Sequence, residues 1–475
     1  MSLSIKEKYL FFIICSAGIL LRYYNHSYDD LWYDEVISFW VSDPSLKFQE
    51  TIKFNQLIDI NTSIFHFILK FFFSIFGYSV ENGRLLSVIF SSFSILTVAY
   101  LSWMISQNKS FLLTSFLISF NIYLISFSQE IRVYSILFFS ASIYLIFFLK
   151  ALENQRNYLF LSMYFLSSIL LISLHPFALI IFFSCIIYLF SKSLKHNKKY
   201  SLLYLANLIT LVIAIYIYYS SFFLISGSEN NKEFFWMTNP DIGFYSNFYF
   251  SSFFGSRLMG ALFLIALIVL VIKNFKKIFS LSPLTLLVLI IFLSYFLPIL
   301  FGYIFKPIIV TRYIIFILIP IIIIISTLIY YIKNPIIKKS FFLILILFTV
   351  GNHFTEQTFK QFFKKRVYSK PQYTAALTYI NNSDHKNYFL KAKMMKNKNA
   401  TIDAVNHYIN YLNTKNELSV KFAPSNKRDK LKFLWHLCFQ DFNGKDCTID
   451  DFKNQFKVIK KENFNNVELK LLEII

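Results

Sequence analysis

The sequence predicts an all-α polytopic membrane protein of about eleven transmembrane helices, with further helices on its outer face and a small soluble C-terminal domain. Three observations carry that prediction. Hydrophobic residues fill 56% of the 475 positions, aromatics 20% and charges only 15%, which is far from the mix of a soluble globular chain. Apolar runs near the roughly 20 residues needed to cross hydrocarbon recur from the N-terminus to about residue 353. From 354 onward the long apolar runs stop, and Asn, Lys and Asp become frequent.

Taken in order, the first span is 8–24. Lys6 and Lys8 before an apolar stretch imitate a cleavable signal peptide, but ten further spans favour a retained first helix. About ten residues past its end stands Trp32-Tyr33-Asp34-Glu35. Two adjacent carboxylates just beyond a membrane exit stay solvated enough to remain ionised, yet lie near enough to the bilayer to meet a lipid-borne substrate. The stretch 62–78 is apolar, but it follows Asn61, carries His66 and Lys70 and ends at Gly77. It reads as a helix lying along the membrane surface. The remaining spans are 84–106, 110–127, 132–150, 157–175, 177–191, 201–224, 258–272, 282–304, 311–332 and 337–353, the last shortened by Lys338 and Lys339.

Charge then orients the spans. One set of loops holds Lys6 and Lys8, Lys109, Lys150 and Arg156, Lys192, Lys195, Lys198 and Lys199, Lys273, Lys276 and Lys277, and Lys333, Lys338 and Lys339. Short cytoplasmic loops attract Lys and Arg, so this side is expected to be the cytoplasm. The opposite face receives the Asp34 loop, the turn around Glu130, the 225–257 loop, the turn around Lys306 and the tail. The expected location is therefore the inner (plasma) membrane, multi-pass, with the polar site facing the periplasm or exterior. A span at 62–78 would invert every later loop and break the pattern.

Several function classes fall away. The net charge of +21 is spread through loops and tail, with no Lys/Arg block suited to a nucleic-acid arm. No Gly-rich phosphate loop, zinc-type Cys/His spacing or G-x-S-x-G elbow occurs. Cys15 and Cys185 lie in apolar spans as packing residues, whereas Cys438 and Cys447 lie in the tail, where an oxidising compartment would allow a disulfide. The tail itself, 354–475, is about 120 residues, enough for its own core. Strands are expected over 386–390 and 452–459 and helices over 373–380 and 404–412, an α+β arrangement.

Four stretches in order resemble the glycosyltransferase C superfamily, specifically the dolichyl-phosphate-mannose-protein mannosyltransferase-like family 39. They are Trp32-Tyr33-Asp34-Glu35; Phe76-Gly77-Tyr78-Ser79 with Arg84-Leu85-Leu86-Ser87; Ser128-Gln129-Glu130-Ile131-Arg132-Val133-Tyr134; and Lys306-Pro307 with Arg312-Tyr313 ahead of Pro320. The resemblance spans about residues 8–330. It departs where the family commonly has an Asp followed by His-Pro-Pro-Leu, since this chain reads Asp59-Ile60-Asn61-Thr62-Ser63-Ile64.

The resemblance implies transfer of a hexose or pentose from a polyprenyl-phosphate donor to a glycan, lipid or protein acceptor, with membrane lipids as surroundings and no nucleic acid. Such a transfer needs a base for the acceptor's proton and cations for the departing phosphate. Asp34 is the expected base, Glu35 its support, and Glu130 the second acid that orients or shares the acceptor. Arg84, Arg132, Arg312 and Lys306 are the expected phosphate ligands, because a guanidinium fork matches phosphate geometry. His175, Asp59 and His66 are candidates for the acceptor side or for support. The residues require no cofactor and leave a divalent metal open. The arginines also suit a plain snorkelling role at helix ends. Two alternatives stay open: a glycan ligase or polymerase, and a lipid-sugar flippase or transporter. A transporter should break its helices and place polar groups at mid-span.

Overall fold

The computed structural model describes residues 4–58, 62–107, 110–196, 200–226, 237–278, 280–355, 357–390, 397–424, 428, 431–440, 447, 449 and 456–475. Each expected apolar span is helical, and the chain is a multi-pass membrane protein by its helices. Seven described helices are long and apolar enough to cross a bilayer, or eight if the bent pair Ser110–Ser119 and Ile122–Ser128 counts as one span. The other three are shorter or more charged: Ile5–Tyr23 carries Lys6, Glu7, Lys8 and Arg22, and Tyr158–Leu174 and Arg257–Lys273 have 17 residues each. The chain divides into two compact units, 1–24 with 85–229 and 235–366, and 25–84 with 230–234 and 367–475.

In the first unit the most enclosed span is Thr311–Tyr330, 89% buried against 17% for Pro335–Thr355. The run Leu318-Ile319-Pro320-Ile321-Ile322-Ile323-Ile324-Ile325 is apolar all round, as a helix inside a bundle must be. This span begins as a 3-10 turn over Thr311–Ile317 rather than as regular helix. The expected continuous span 110–127 is also interrupted, bending by 54° between Ser119 and Ile122.

The physical reason for that break is visible in its partners. A break leaves orphan carbonyls that a bilayer cannot hydrate. Arg22, fully buried, donates to Ile118 O and Ser119 O at 2.9 Å each, to Gly18 O at 2.9 Å and to Ser91 Oγ at 2.8 Å. His353 Nε2 donates to Phe120 O at 2.6 Å. Asn121 then starts the next segment by accepting from Leu124 N at 2.9 Å, while its amide donates to Phe253 O at 2.9 Å. Close helix approach is required here, since a Cβ at Gly18 would come within 2.7 Å of the Ser119 side chain.

The second unit combines tail and first-loop segments. Its sheet has the order β2-β1-β3-β5-β4, with β1 Asn387–Leu390, β2 Lys421–Phe422, β3 Phe433–Phe439, β4 Phe456–Phe464 and β5 Val467–Ile474. β1 runs parallel to β2 and β3, and β5 antiparallel to β3 and β4. β3 is almost wholly buried, as suits a central strand, whereas edge strand β4 is mostly exposed and carries Lys457, Lys460 and Lys461. Lysines on an edge discourage pairing with another chain. Cys438 and Cys447 form a disulfide at the end of β3. The helices Tyr373–Asn381 and Lys398–Lys415 and strand β1 fall where expected, while 452–455 of the expected strand lie outside the described residues.

The same unit holds the first-loop helices Tyr33–Val41, Phe48–Ile58 and Ile64–Phe76. The last follows Ser63 and stops at Gly77, whose φ of 96° is the left-handed region that glycine adopts without strain. Its 13 residues are too few to cross a bilayer.

Candidate functional site

The carboxylate pair opens the helix Tyr33–Val41 and its two members stand in different environments. Asp34 is half-buried, and its backbone carbonyl accepts from Ser38 Oγ at 3.0 Å. Glu35 is fully buried. Its Oε1 accepts from Arg84 Nε at 2.9 Å; its Oε2 accepts from Arg84 Nη2 at 3.0 Å and lies 2.6 Å from Lys370 Nζ. Burial works against this charge, but Arg84 and then Lys370 outweigh it and hold the carboxyl down at about 2.

Arg84 does more than neutralise Glu35. Its Nη1 donates to Asp29 O at 2.7 Å and His26 O at 3.2 Å, and its Nη2 donates to Asp30 O at 3.1 Å. All five N–H groups of the guanidinium are thus engaged within the unit. A residue at the start of the helix Val80–Ser106 thereby folds the loop 26–35 around itself.

Tail residues grip the acids of that loop. Asp29 accepts from Ser369 N at 3.1 Å and Ser369 Oγ at 3.0 Å. Asp30 accepts from Thr374 N and Thr374 Oγ1, both at 2.8 Å, and from the Tyr408 hydroxyl at 3.4 Å. Thr374 N lies in the first turn of Tyr373–Asn381, so Asp30 caps that helix from another segment. Burial raises the Asp30 pKa above the ordinary carboxylate value, against the Thr374 hydrogen bonds. The Tyr33 hydroxyl lies 2.9 Å from Thr401 Oγ1.

A second cluster lies farther along the loop. Tyr78 stacks on Phe39 with centroids 4.1 Å apart, and its hydroxyl donates to Phe39 O at 2.9 Å and sits 2.9 Å from His407 Nε2. His407 approaches Asp43 Oδ2 at 3.4 Å, and burial lowers its pKa below the ordinary value despite that carboxylate. His66 is buried with Nδ1 3.2 Å from Ser42 Oγ. Lys70 Nζ donates to Leu46 O.

The first unit gathers another set of expected residues. Glu130 is buried, its backbone carbonyl held by Ser87 Oγ at 2.6 Å, and Arg132 N donates to the same carbonyl at 2.9 Å. Gln129 donates to Arg22 O and Tyr24 O at 3.1 Å each, which ties this turn to the end of the first helix. The Arg132 guanidinium lies over Tyr134 and that of Arg312 over Tyr313, each 5.8 Å from the centroid. His175 joins them, 4.9 Å from Tyr313 and 6.4 Å from Tyr134 between centroids. Its Nδ1 accepts from Phe177 N at 3.2 Å, so a neutral ring carries its proton on Nε2.

Among the expected site residues, Glu35 and Arg84 are brought together in one unit, and Glu130, Arg132, Arg312 and His175 share the other. Lys306 is half-buried in the turn after Pro283–Ile304. Asp59 lies outside the described residues, as do Lys109, Lys198 and Lys199. Among the described residues no three His, Cys, Asp or Glu side chains gather as a metal site. Sequence reasoning missed Lys370, Ser369 and Thr374, because partners more than 300 positions away leave no local signal.

Two structures of ArnT from Cupriavidus metallidurans share this fold. The one bound to undecaprenyl phosphate matches with a TM-score of 0.55 at 9% identity, and the apo one with 0.57 at 8%. Each match covers 97% of this chain and 97% of ArnT. The archaeal oligosaccharyltransferase AglB from Archaeoglobus fulgidus, solved with an inhibitory peptide and a dolichol-phosphate, matches with 0.56 at 11% identity over 91% of this chain and 69% of its own. The chain thus has the ArnT-like fold that the glycosyltransferase C resemblance implies. No family model matches the sequence, and no curated protein matches it.

Proposed function

We propose that this chain is a glycosyltransferase that moves a sugar from a polyprenyl-phosphate donor to a glycan, lipid or protein acceptor on the outer face of the inner membrane. The observation that carries the reading is the division between two adjacent carboxylates. Glu35 is buried and locked by two cations, whereas its neighbour Asp34 stays half-exposed at the start of the same helix. A carboxylate kept in place by a structural twin is suited to proton abstraction. The ArnT fold adds support, because one ArnT structure holds undecaprenyl phosphate.

Asp34 takes the proton of the acceptor hydroxyl as that oxygen bonds to the anomeric carbon. The bond from that carbon to the phosphate oxygen breaks, and polyprenyl phosphate leaves with the electron pair. Arg132 and Arg312 are assigned to the developing phosphate charge, with Lys306 as a further cation. Glu130 orients the acceptor, and His175 supports Arg312 through Tyr313. Arg84 is assigned to organising the loop, because its N–H groups are already donated to Glu35 and three carbonyls. Asp59 and His66 remain candidates for acceptor support.

AglB is named an oligosaccharyltransferase, which favours transfer of a longer glycan as the second reading. A transporter gains less support. The broken pair Ser110–Ser119 and Ile122–Ser128 has the form of a transporter helix, but its carbonyls are occupied by Arg22 and His353. The disulfide Cys438–Cys447 favours an oxidising compartment for the tail. The reading is tested by incubating purified protein with a panel of undecaprenyl-phosphate pentoses and hexoses and membrane-extract acceptors. Release of undecaprenyl phosphate from at least one donor is expected; flipping of donors in vesicles without release would replace transferase by transporter.

A further inference from the structure

The tail beyond residue 366 has no part in the chemistry as assigned above, yet it holds the residues on both sides of Asp34. Tyr33 meets Thr401 through hydroxyls 2.9 Å apart, and Glu35 meets Lys370 at 2.6 Å. Just upstream, Asp29 is chelated by the backbone and side chain of Ser369, and Asp30 by those of Thr374. A six-residue stretch, 369–374, thus holds three acids of the loop. The grip on Glu35 joins an ammonium to a carboxylate, the stronger class of hydrogen bond.

The charges single out Lys370. Arg84 alone balances Glu35 and does so bidentately, so a second cation is not needed to neutralise that carboxylate. What Lys370 adds is geometry, because it holds Glu35 from the tail while Arg84 holds it from the helix Val80–Ser106. Two grips from two directions fix the rotation of the first turn of Tyr33–Val41, and Asp34 is the residue within that turn whose position follows. Lys370 is mostly buried, 14% exposed, so its ion pair is less screened by water than a surface one.

We infer that Lys370 is a positioning residue for the transfer reaction and that the stretch 369–374 is the strap through which the tail sets Asp34. This rests on the reading of Asp34 as the base. The test compares Lys370→Met and Lys370→Arg in the full chain, purified in detergent and matched for folded fraction, with release of undecaprenyl phosphate from the donor that the wild type turns over best. A misplacement of ~1 Å at a reacting group costs up to about 10²-fold. The Met variant should therefore lose about 10- to 100-fold in kcat with donor KM changed by less than about twofold. Arginine, which restores charge and reach, should bring kcat back to within about threefold of wild type, a difference of less than ~1 kcal/mol.

A merely structural lysine would lower the folded fraction but leave kcat per folded molecule unchanged, and that result overturns the inference. So does an arginine variant as slow as the Met variant. Should Lys370→Met fail to fold, Lys370→Gln, which keeps a donor without the charge, takes its place with the same expected and contrary results. Asp34→Asn is run alongside. Activity in that variant removes the base assignment itself, whereas an inactive Asp34→Asn beside a fully active Lys370→Met removes only the strap.

Discussion

Arg84→Met tests how much of the first loop depends on one guanidinium. The substitution keeps the volume of the side chain's stem and removes every donor. Glu35 then loses its bidentate cation while Lys370 and the Trp32 amide still reach it in a fully buried position, and the carbonyls of His26, Asp29 and Asp30 lose the guanidinium. Breaking a buried ion pair from one side costs about 3–5 kcal/mol. Each abandoned carbonyl adds roughly 1–3 kcal/mol where water cannot reach it, and the remaining Lys370 contact with Glu35 gives part of the loss back, so ~3–5 kcal/mol stands as the lower bound. The assay is native-state hydrogen exchange at the amides of β3 and β5, which report opening of the second unit. A loss of ~4 kcal/mol speeds that exchange by about 10³-fold. Arg84→Lys, a point charge in place of a fork, should lie between wild type and Met. Joint replacement, Arg84→Met with Glu35→Met, should recover most of the loss, because no buried charge is then left alone. Exchange in Arg84→Met within about threefold of wild type, less than ~1 kcal/mol, would refute the reasoning.

Arg132→Lys and Arg312→Lys should each cut turnover by about 10²-fold with membrane insertion intact, because a point charge replaces paired donors at the phosphate; equal turnover in both would place the phosphate elsewhere. Acid should weaken the second unit in a defined window. Arg84 and Lys370 hold the Glu35 carboxyl well below its ordinary 4.5, so its contribution is present above pH 4.5 and is lost as pH falls through the lowered value. His407, lowered from 6.5, adds an earlier loss that starts as pH drops below 6.5 and should vanish in His407→Phe; both are read from the pH dependence of β3 and β5 exchange. A reporter that functions only in the cytoplasm, fused after Ile475, should stay silent; if it is active, the tail cannot meet an outer-face acceptor.

The membrane part of the fold was legible because hydrocarbon imposes one rule, a long apolar helix, and seven described helices, or eight with the bent pair, obey it. What composition could not show was the interruption at Ser119–Ile122, since the residues that stabilise it, Arg22 and His353, come from distant helices. In the tail, the helices with a 3.6-residue apolar stripe were readable. β3 was not, because a wholly buried run such as Phe433–Phe439 lacks the alternation that marks a strand. The carboxylate pair stood out in the sequence, and so did Arg84. The division of labour did not: only the fold shows that Glu35 is the buried member, that Arg84 is engaged at every N–H, and that Lys370 arrives from the tail. Charge, motif and spacing name residue types, whereas burial separates the two adjacent carboxylates, Glu35 enclosed and Asp34 half-exposed.

Asp34→Asn tests the central claim most directly. The exchange keeps the shape and replaces the basic oxygen by an amide NH2, so the helix Tyr33–Val41 and its Glu35 anchorage should persist. Purified wild type and variant, matched for expression and folded fraction, are given the undecaprenyl-phosphate sugar that the wild type consumes, and released undecaprenyl phosphate is counted over time. Loss of about 10²–10⁴-fold in turnover is expected for removal of a general base. Wild-type turnover in Asp34→Asn would contradict the assignment of this carboxylate as the base.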